Sequence, residues 1–326
     1  MTLLRFDQYM DLALYGPDGF YTNEGSAGRR SGDFLTSPEV GPLFGAVLAE
    51  AIDQWWSEAG RPDPFTVYDV GCGPGTLLRT IAAARGGTEL DRPWRLVGVD
   101  VAGSAAELDR LPDDLSGSVV IANELLDNLP FRILERTGAG WSEVGVRLDE
   151  SSAVEELFAT DLAPALDGLD DLAPGVRVPI LERAEAWVSS VLDRAPVALC
   201  VFDYGLAETA SLGRRGGWLR TYRDHRRGQD PLAAPGRTDI TTDIGWDQLP
   251  TPALLQPQAE FLRTWSIDRL VEEGRTYWKN NAHAPDLTAI RMRSRVSEAE
   301  ALLDPAGLGR WLTGVWNRDS PRSDKF

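Results

Sequence analysis

A chain of 326 residues, 43% of them apolar, has material for one large domain or for one domain with sizeable additions. Its formal charge of −17 argues against the basic face that nucleic-acid or membrane-surface binding needs, and no apolar run approaches the roughly 18–20 residues that cross a bilayer. The two cysteines, Cys72 and Cys200, sit in or beside apolar runs, and His225 and His283 lie far apart, so neither a disulfide framework nor a zinc site is expected.

The segment Met1 to Asp7 lacks the basic, apolar and small-residue order of a secretory signal, which predicts a cytoplasmic protein. Phe6, Met10, Ala13 and Leu14 recur at helical spacing until Tyr15-Gly16-Pro17-Asp18-Gly19 ends the pattern. A loop rich in Gly and charge follows. Then Thr36 or Ser37 caps a helix, Pro38 fits its first turn and Glu39 suits its positive end, with Thr36-x-x-Glu39 as a capping box. The helix runs through Leu43, Val47 and Ile52 toward Trp55 and Trp56.

From Phe65 the texture changes. Phe65 to Val70, Trp94 to Val99, Val119 to Ala122 and Val197 to Phe202 are short, almost continuously apolar runs, as expected of strands covered on both faces. Helical stretches between them predict an open, mostly parallel α/β sheet. Two stretches interrupt the alternation. Residues 131–196 hold a hairpin about Thr137-Gly138-Ala139-Gly140, an acidic connection, and a helix through Ile180, Ala184, Trp187 and Val191. Residues 206–245 read as a long ordered loop.

Asp69-Val70-Gly71-Cys72-Gly73-Pro74-Gly75 follows a strand and precedes a helix. Gly71, Gly73 and Gly75 allow a sharp turn and a close backbone approach to a ligand. Thr76 stands where a dinucleotide fingerprint has its third glycine, and Pro74 removes an N–H, so a pyrophosphate is a poor fit. A cofactor without phosphates, carrying a zwitterionic amino-acid end and a ribose, fits better. Asp69 is placed to accept from its amino group and Asp100 from its ribose hydroxyls. Asn123 and Glu124 begin at the end of the third run and should face the same crevice. Glu124 is the first candidate for orienting and charge-stabilising a nitrogen acceptor, and Asp127 the second; Asp127 equally suits an ordinary helix cap.

These residues resemble the MidA-like family of S-adenosylmethionine-dependent methyltransferases, whose members include a mitochondrial complex I assembly factor that methylates an arginine. The match runs through Tyr9-Met10, Ala13-Leu14-Tyr15, Gly32 to Glu39, Gly71 to Leu77, Ala122 to Pro130, Asp203-Tyr204-Gly205 and Pro235 to Thr241. The resemblance implies a Rossmann-like class I methyltransferase sheet over 63–326 with insertions at 131–196 and 206–245, and an N-terminal helical cap over 1–62. It implies that Thr36, Ser37 and Glu39 close over S-adenosylmethionine, that His225 belongs to the site, and that the acceptor is a protein arginine, another nitrogen or a small molecule.

One departure stands out. Only 101–118 separate the second strand from the next, where the family has a helix and a further strand that help enclose the adenine. A short helix over Ala105 to Leu111 fits there and a full strand does not, leaving the adenine pocket open or completed by something else. An inactive assembly protein that kept the fold is the competing expectation, and a nicotinamide-dependent oxidoreductase is the competitor at the level of fold.

Overall fold

The computed structural model describes residues 2–22, 36–84, 94–101, 105–149, 152–160, 162, 164–223, 226–228 and 230–317. A six-stranded sheet forms its centre: β1 (Phe65–Val70), β2 (Trp94–Val99), β3 (Ser118–Asn123), β4 (Ala198–Asp203), β5 (Leu254–Pro257) and β6 (Leu312–Asn317), in the spatial order β5-β6-β4-β3-β1-β2. β1 pairs in parallel with β2 and with β3, and β3 in parallel with β4. β6 runs antiparallel to both its neighbours, so the expected sheet is present with two further strands from the C-terminal quarter.

Strand periodicity explains why both faces are covered. Side chains alternate across a strand, and here alternate residues enter two different cores. Phe65, Val67, Val119, Ile121, Cys200 and Phe202 pack on one side, under α1 (Pro42–Glu58) and α2 (Thr76–Ala84). Tyr68, Val70, Val120, Ala122, Leu199 and Val201 pack on the other, with Phe6, Tyr9 and Met10 from the N-terminal segment and with α3 (Glu182–Asp193). α4 (Ile267–Asn281) and α5 (Leu287–Leu302) complete the first side.

Several local expectations need correction. The helix after Thr36 is two pieces, Ser37–Val40 and α1, separated at Gly41. The break has a physical cause: a Cβ on Gly41 would fall 2.3 Å from the Glu298 carboxyl carbon, and Glu298 accepts the Leu43 N–H of the new helix start at 2.8 Å. A strand, Thr2–Arg5, precedes the first helix and pairs with Gly140–Leu148. The hairpin at Gly138-Ala139 is present, and its strands Arg132–Thr137 and Gly140–Leu148 join Ala153–Ala159 and Arg177–Ile180 in one antiparallel sheet. Ile180 therefore ends a strand, and α3 starts only at Glu182. Residues 206–245 are not merely loop: they hold the helix Thr209–Arg215 and the paired strands Leu219–Arg223 and Asp239–Thr242. No helix forms between Ala105 and Leu111; instead Leu108 makes a single parallel bridge to Val99.

Glu298 is 5% exposed and also accepts from the Ser294 hydroxyl. Glu298→Ala removes a charged acceptor from a buried helix start, which is expected to cost about 2 kcal/mol. A lower urea midpoint at unchanged slope is the signature, and an unchanged midpoint would refute this account of the Gly41 break.

Candidate active site

The parallel register brings three chain ends to one level. Val70 pairs with Val99 on one side and with Ala122 on the other, so Gly71, Asp100 and Asn123 emerge together at the carboxyl edge. The spatial order changes direction at β1, the place where open α/β sheets leave a crevice for a ligand. A cavity of about 840 Å³ lies there, within the range of small-molecule sites.

The glycine loop forms one wall. Gly71 and Gly73 have φ of 74° and 48°, a region open to glycine at little strain. Among the described residues, a Cβ on Gly73 would meet no atom within 4 Å, although Gly73 lines the cavity: the space beside it suits a ligand. Gly75 serves otherwise. It is not in the cavity wall, and its added Cβ would fall 2.7 Å from that of Ala105, so it permits close packing of the next segment. The Gly73 N–H donates to Asp100 Oδ2 at 2.9 Å, tying the loop to the adjacent strand end.

Asp69 and Asp100 both line the cavity. Asp69 is 3% exposed, and burial, then the nearby charge of Asp100, pushes its pKa up to about 7. The same burial, reinforced by both acids, pushes the Cys72 thiol up to about 12, which leaves it unreactive at neutral pH.

The third strand end carries the strain. Glu124 has φ of 54°, a left-handed conformation that costs a residue with a Cβ roughly 1–2 kcal/mol. It is held there by its N–H on the Phe202 carbonyl at 2.9 Å, and one carboxylate oxygen accepts from Asn123 Nδ2 at 3.1 Å. Asn123 Oδ1 is buried and has no hydrogen-bond partner among the described residues, although Asn123 lines the cavity. An orphaned acceptor at the wall of a cavity is the mark of a site built for a donor from outside the chain.

Behind Glu124 stands a buried group that residue patterns had not assigned. Asp203, at the end of β4, accepts the N–H groups of Leu126 at 3.0 Å, Asp127 at 3.2 Å and Tyr204 at 3.0 Å. Burial, then the charges of Asp127 and Glu124, hold its pKa well above the usual carboxylate range. Asp127 is turned away from the cavity: it accepts from the Tyr204 hydroxyl, whose oxygen in turn accepts from the Thr241 hydroxyl at 2.8 Å. Arg220 lies 4.3 Å over the Tyr204 ring and pairs with Asp243. Only the position of Asp203-Tyr204-Gly205 at a fourth strand end hinted at this cluster.

The remaining sequence candidates divide. Thr36 and Glu39 line the cavity and complete the expected capping box. Ser37 does not line it; it is fully buried and its hydroxyl donates to Gln258 Oε1 at 2.8 Å, so it anchors the segment rather than facing a ligand. His225 lies outside the described residues. The opposite wall comes from α3, whose Arg183, Trp187, Ser190 and Val191 share one helical face, and from Tyr15 and Tyr21, stacked with ring centres 5.5 Å apart.

Comparison with known proteins sets the chain beside methyltransferases. A family described as "putative S-adenosyl-L-methionine-dependent methyltransferase" matches residues 100–261. The chain is 27% identical over 284 residues to the mitochondrial protein arginine methyltransferase NDUFAF7 homolog of Drosophila melanogaster, covering 73% of this chain and 63% of that relative. It is 27% identical over 315 residues to the bovine mitochondrial protein arginine methyltransferase NDUFAF7, covering 80% and 69%. The match thus spans less than two thirds of the fly relative's length. A crystal structure from Burkholderia thailandensis bound to S-adenosyl-homocysteine shares the fold, with a TM-score of 0.78 at 24% identity over 98% of this chain and 89% of that one.

The burial of Asp69 has a measurable sign. Unfolded, its carboxyl ionises near the model-peptide value of 3.8; folded, it keeps its proton to about 7. The folded state therefore binds more protons between these values, and stability falls as pH rises through that window. Asp69→Asn is expected to remove this fall, gaining up to roughly 4 kcal/mol over wild type at pH 8 and almost nothing at pH 4. Parallel urea titrations of both proteins from pH 4 to 8 check it, and a constant difference across pH would refute it.

Proposed function

Because the chain belongs to the S-adenosylmethionine-dependent methyltransferases, we propose that this cavity holds S-adenosylmethionine and that the acceptor is a nitrogen, such as that of a protein arginine. The observation that carries the reading is Glu124, held in a strained backbone conformation at the rim of the same cavity as the glycine loop. Strain of this kind persists where surrounding contacts over-determine it, and it gathers at sites of function.

When bound, S-adenosylmethionine supplies an electrophilic methyl group on a sulfonium. The chain has to hold that methyl in line with the acceptor and manage one proton. Asp69 and the orphaned Asn123 Oδ1 suit the amino-acid end as acceptors, and Asp100, already fixed by the Gly73 N–H, suits the ribose hydroxyls. The open space at Gly73 suits the close approach of the ligand to the backbone.

A nitrogen that accepts this methyl would have one proton to shed. Glu124 is the group placed to orient it and accept or stabilise that charge, with one oxygen fixed by Asn123. Relatives named as protein arginine methyltransferases support a nitrogen acceptor. Residues 105–118 of the shortened segment, which favoured an inactive assembly protein, contribute Asp109, Arg110, Leu111 and Asp113 to the wall, which supports a completed cofactor site.

Two variants separate binding from chemistry. Asp100→Ala removes a charged acceptor and is expected to weaken S-adenosylhomocysteine about tenfold to hundredfold by calorimetry; unchanged affinity would remove Asp100 from the site. Glu124→Gln keeps the shape without the charge. It is expected to cut radiolabelled methyl transfer to Arg-containing peptides by roughly 10²–10⁴-fold, with affinity for S-adenosylhomocysteine almost unchanged. Full turnover in this variant, beside an active wild type, would exclude Glu124 from the chemistry.

A further inference from the structure

We infer that the nucleobase of the bound cofactor rests against a wall built from residues 105–115 and clamped by Arg194, in place of the further strand missing from this edge of the sheet. The inference rests on S-adenosylmethionine being the ligand of the cavity.

The direction of the ligand follows from the strand order. Glu124, Gly71 and Asp100 follow the ends of β3, β1 and β2, neighbours in that order, and adjacent strands stand about 4.8 Å apart. A ligand with its methyl at Glu124 and its ribose on Asp100 crosses these ends in turn. Its base then lies past β2, which is the last strand of the sheet.

At that place the chain makes a substitute for a strand. Glu107 and Leu108 donate to the Gly98 carbonyl at 2.9 and 3.2 Å, and the Asp100 N–H donates back to the Leu108 carbonyl at 3.0 Å. Ala105 donates to the Gly73 carbonyl at 3.2 Å, so the segment is stitched to the glycine loop as well. Beyond this single bridge no strand continues among the described residues, and the support comes from the other direction. Arg194, just past the end of α3, donates through Nη1 to the carbonyls of Leu111 and Pro112, both at 3.2 Å. The Leu115 N–H returns a bond to the Arg194 carbonyl at 3.0 Å.

The wall has the chemistry of a base subsite. Leu111 offers apolar surface to a flat ring, while Asp109 and Asp113 bring acceptors suited to an exocyclic amine. Arg194 lines the cavity itself, so its guanidinium both fixes the wall and borders the ligand. An insertion that belongs to another part of the sequence thereby completes the cofactor site.

Calorimetry on wild type, Arg194→Ala and Leu111→Ala tests this with two probes. S-adenosylhomocysteine spans the whole site, whereas 5′-methylthioadenosine has the base and ribose without the amino-acid half. Arg194→Ala is expected to weaken both probes by the same factor, roughly tenfold, while circular dichroism shows the fold intact. Leu111→Ala should weaken both in parallel too, and it carries the test if Arg194→Ala does not fold. Wild-type affinity for both probes in a folded variant, or a loss confined to S-adenosylhomocysteine, would overturn the wall. A wild type that binds neither probe would overturn the cofactor assignment itself, and the wall with it.

Discussion

The register of the parallel strands is the constraint on which the site depends. Val70 stands level with Val99 and with Ala122, and the residues that follow them, Gly71, Asp100 and Asn123, stand at the carboxyl edge of the sheet. The glycine loop, Asp100 and the Asn123–Glu124 pair are therefore neighbours by construction, without any contact between distant loops having to be found. A shift of one residue in either pairing would turn each strand's side chains to the opposite face and move their ends out of line. The two cores, entered by alternate residues of the same strands, make such a shift costly.

What this register brings together is unfavourable without a ligand. Asp69, Asp203, Glu124 and Asp127 are all buried at or behind one edge, and Glu124 adds a left-handed backbone. Buried carboxylates persist only where hydrogen bonds or retained protons compensate them. Asp203 is compensated by three backbone N–H groups and Asp127 by the Tyr204 hydroxyl. These two acids serve the turn that carries Glu124, and the surrounding cluster of Thr241, Arg220 and Asp243 ties that turn to the strands Leu219–Arg223 and Asp239–Thr242. Burial and the charge of Asp100 instead push the Asp69 pKa up to about 7, so a positively charged group beside it favours its ionised form.

Much of this was legible in the sequence because it is local. An apolar run ending in Gly71-Cys72-Gly73 or in Asn123-Glu124 marks both a strand and the edge at which it stops. The capping box at Thr36 is likewise a matter of four residues. What escaped depends on residues far apart in the chain. Ser37 looked like a site residue until Gln258, more than two hundred positions away, claimed its hydroxyl. Asp127 looked catalytic until the Tyr204 hydroxyl took it. The strand Leu312–Asn317 was hidden by its mixed composition, since Gly314 is needed to pass under the Trp246 and Trp316 rings, 2.5 and 2.8 Å from where a Cβ would stand. The break at Gly41 and the clamp of Arg194 are tertiary effects of the same kind.

The central claim is that one ligand lies across three strand ends and touches all of them at once. Amide hydrogen exchange, followed by mass spectrometry with and without S-adenosylhomocysteine, reads those ends separately in a single experiment. The account requires slower exchange on ligand addition in the peptides that carry Gly71–Gly75, Asp100 with Leu108–Leu111, and Glu124–Asn128, with the outer antiparallel strands unchanged. Protection confined to one of the three, or protection away from this edge, would contradict it.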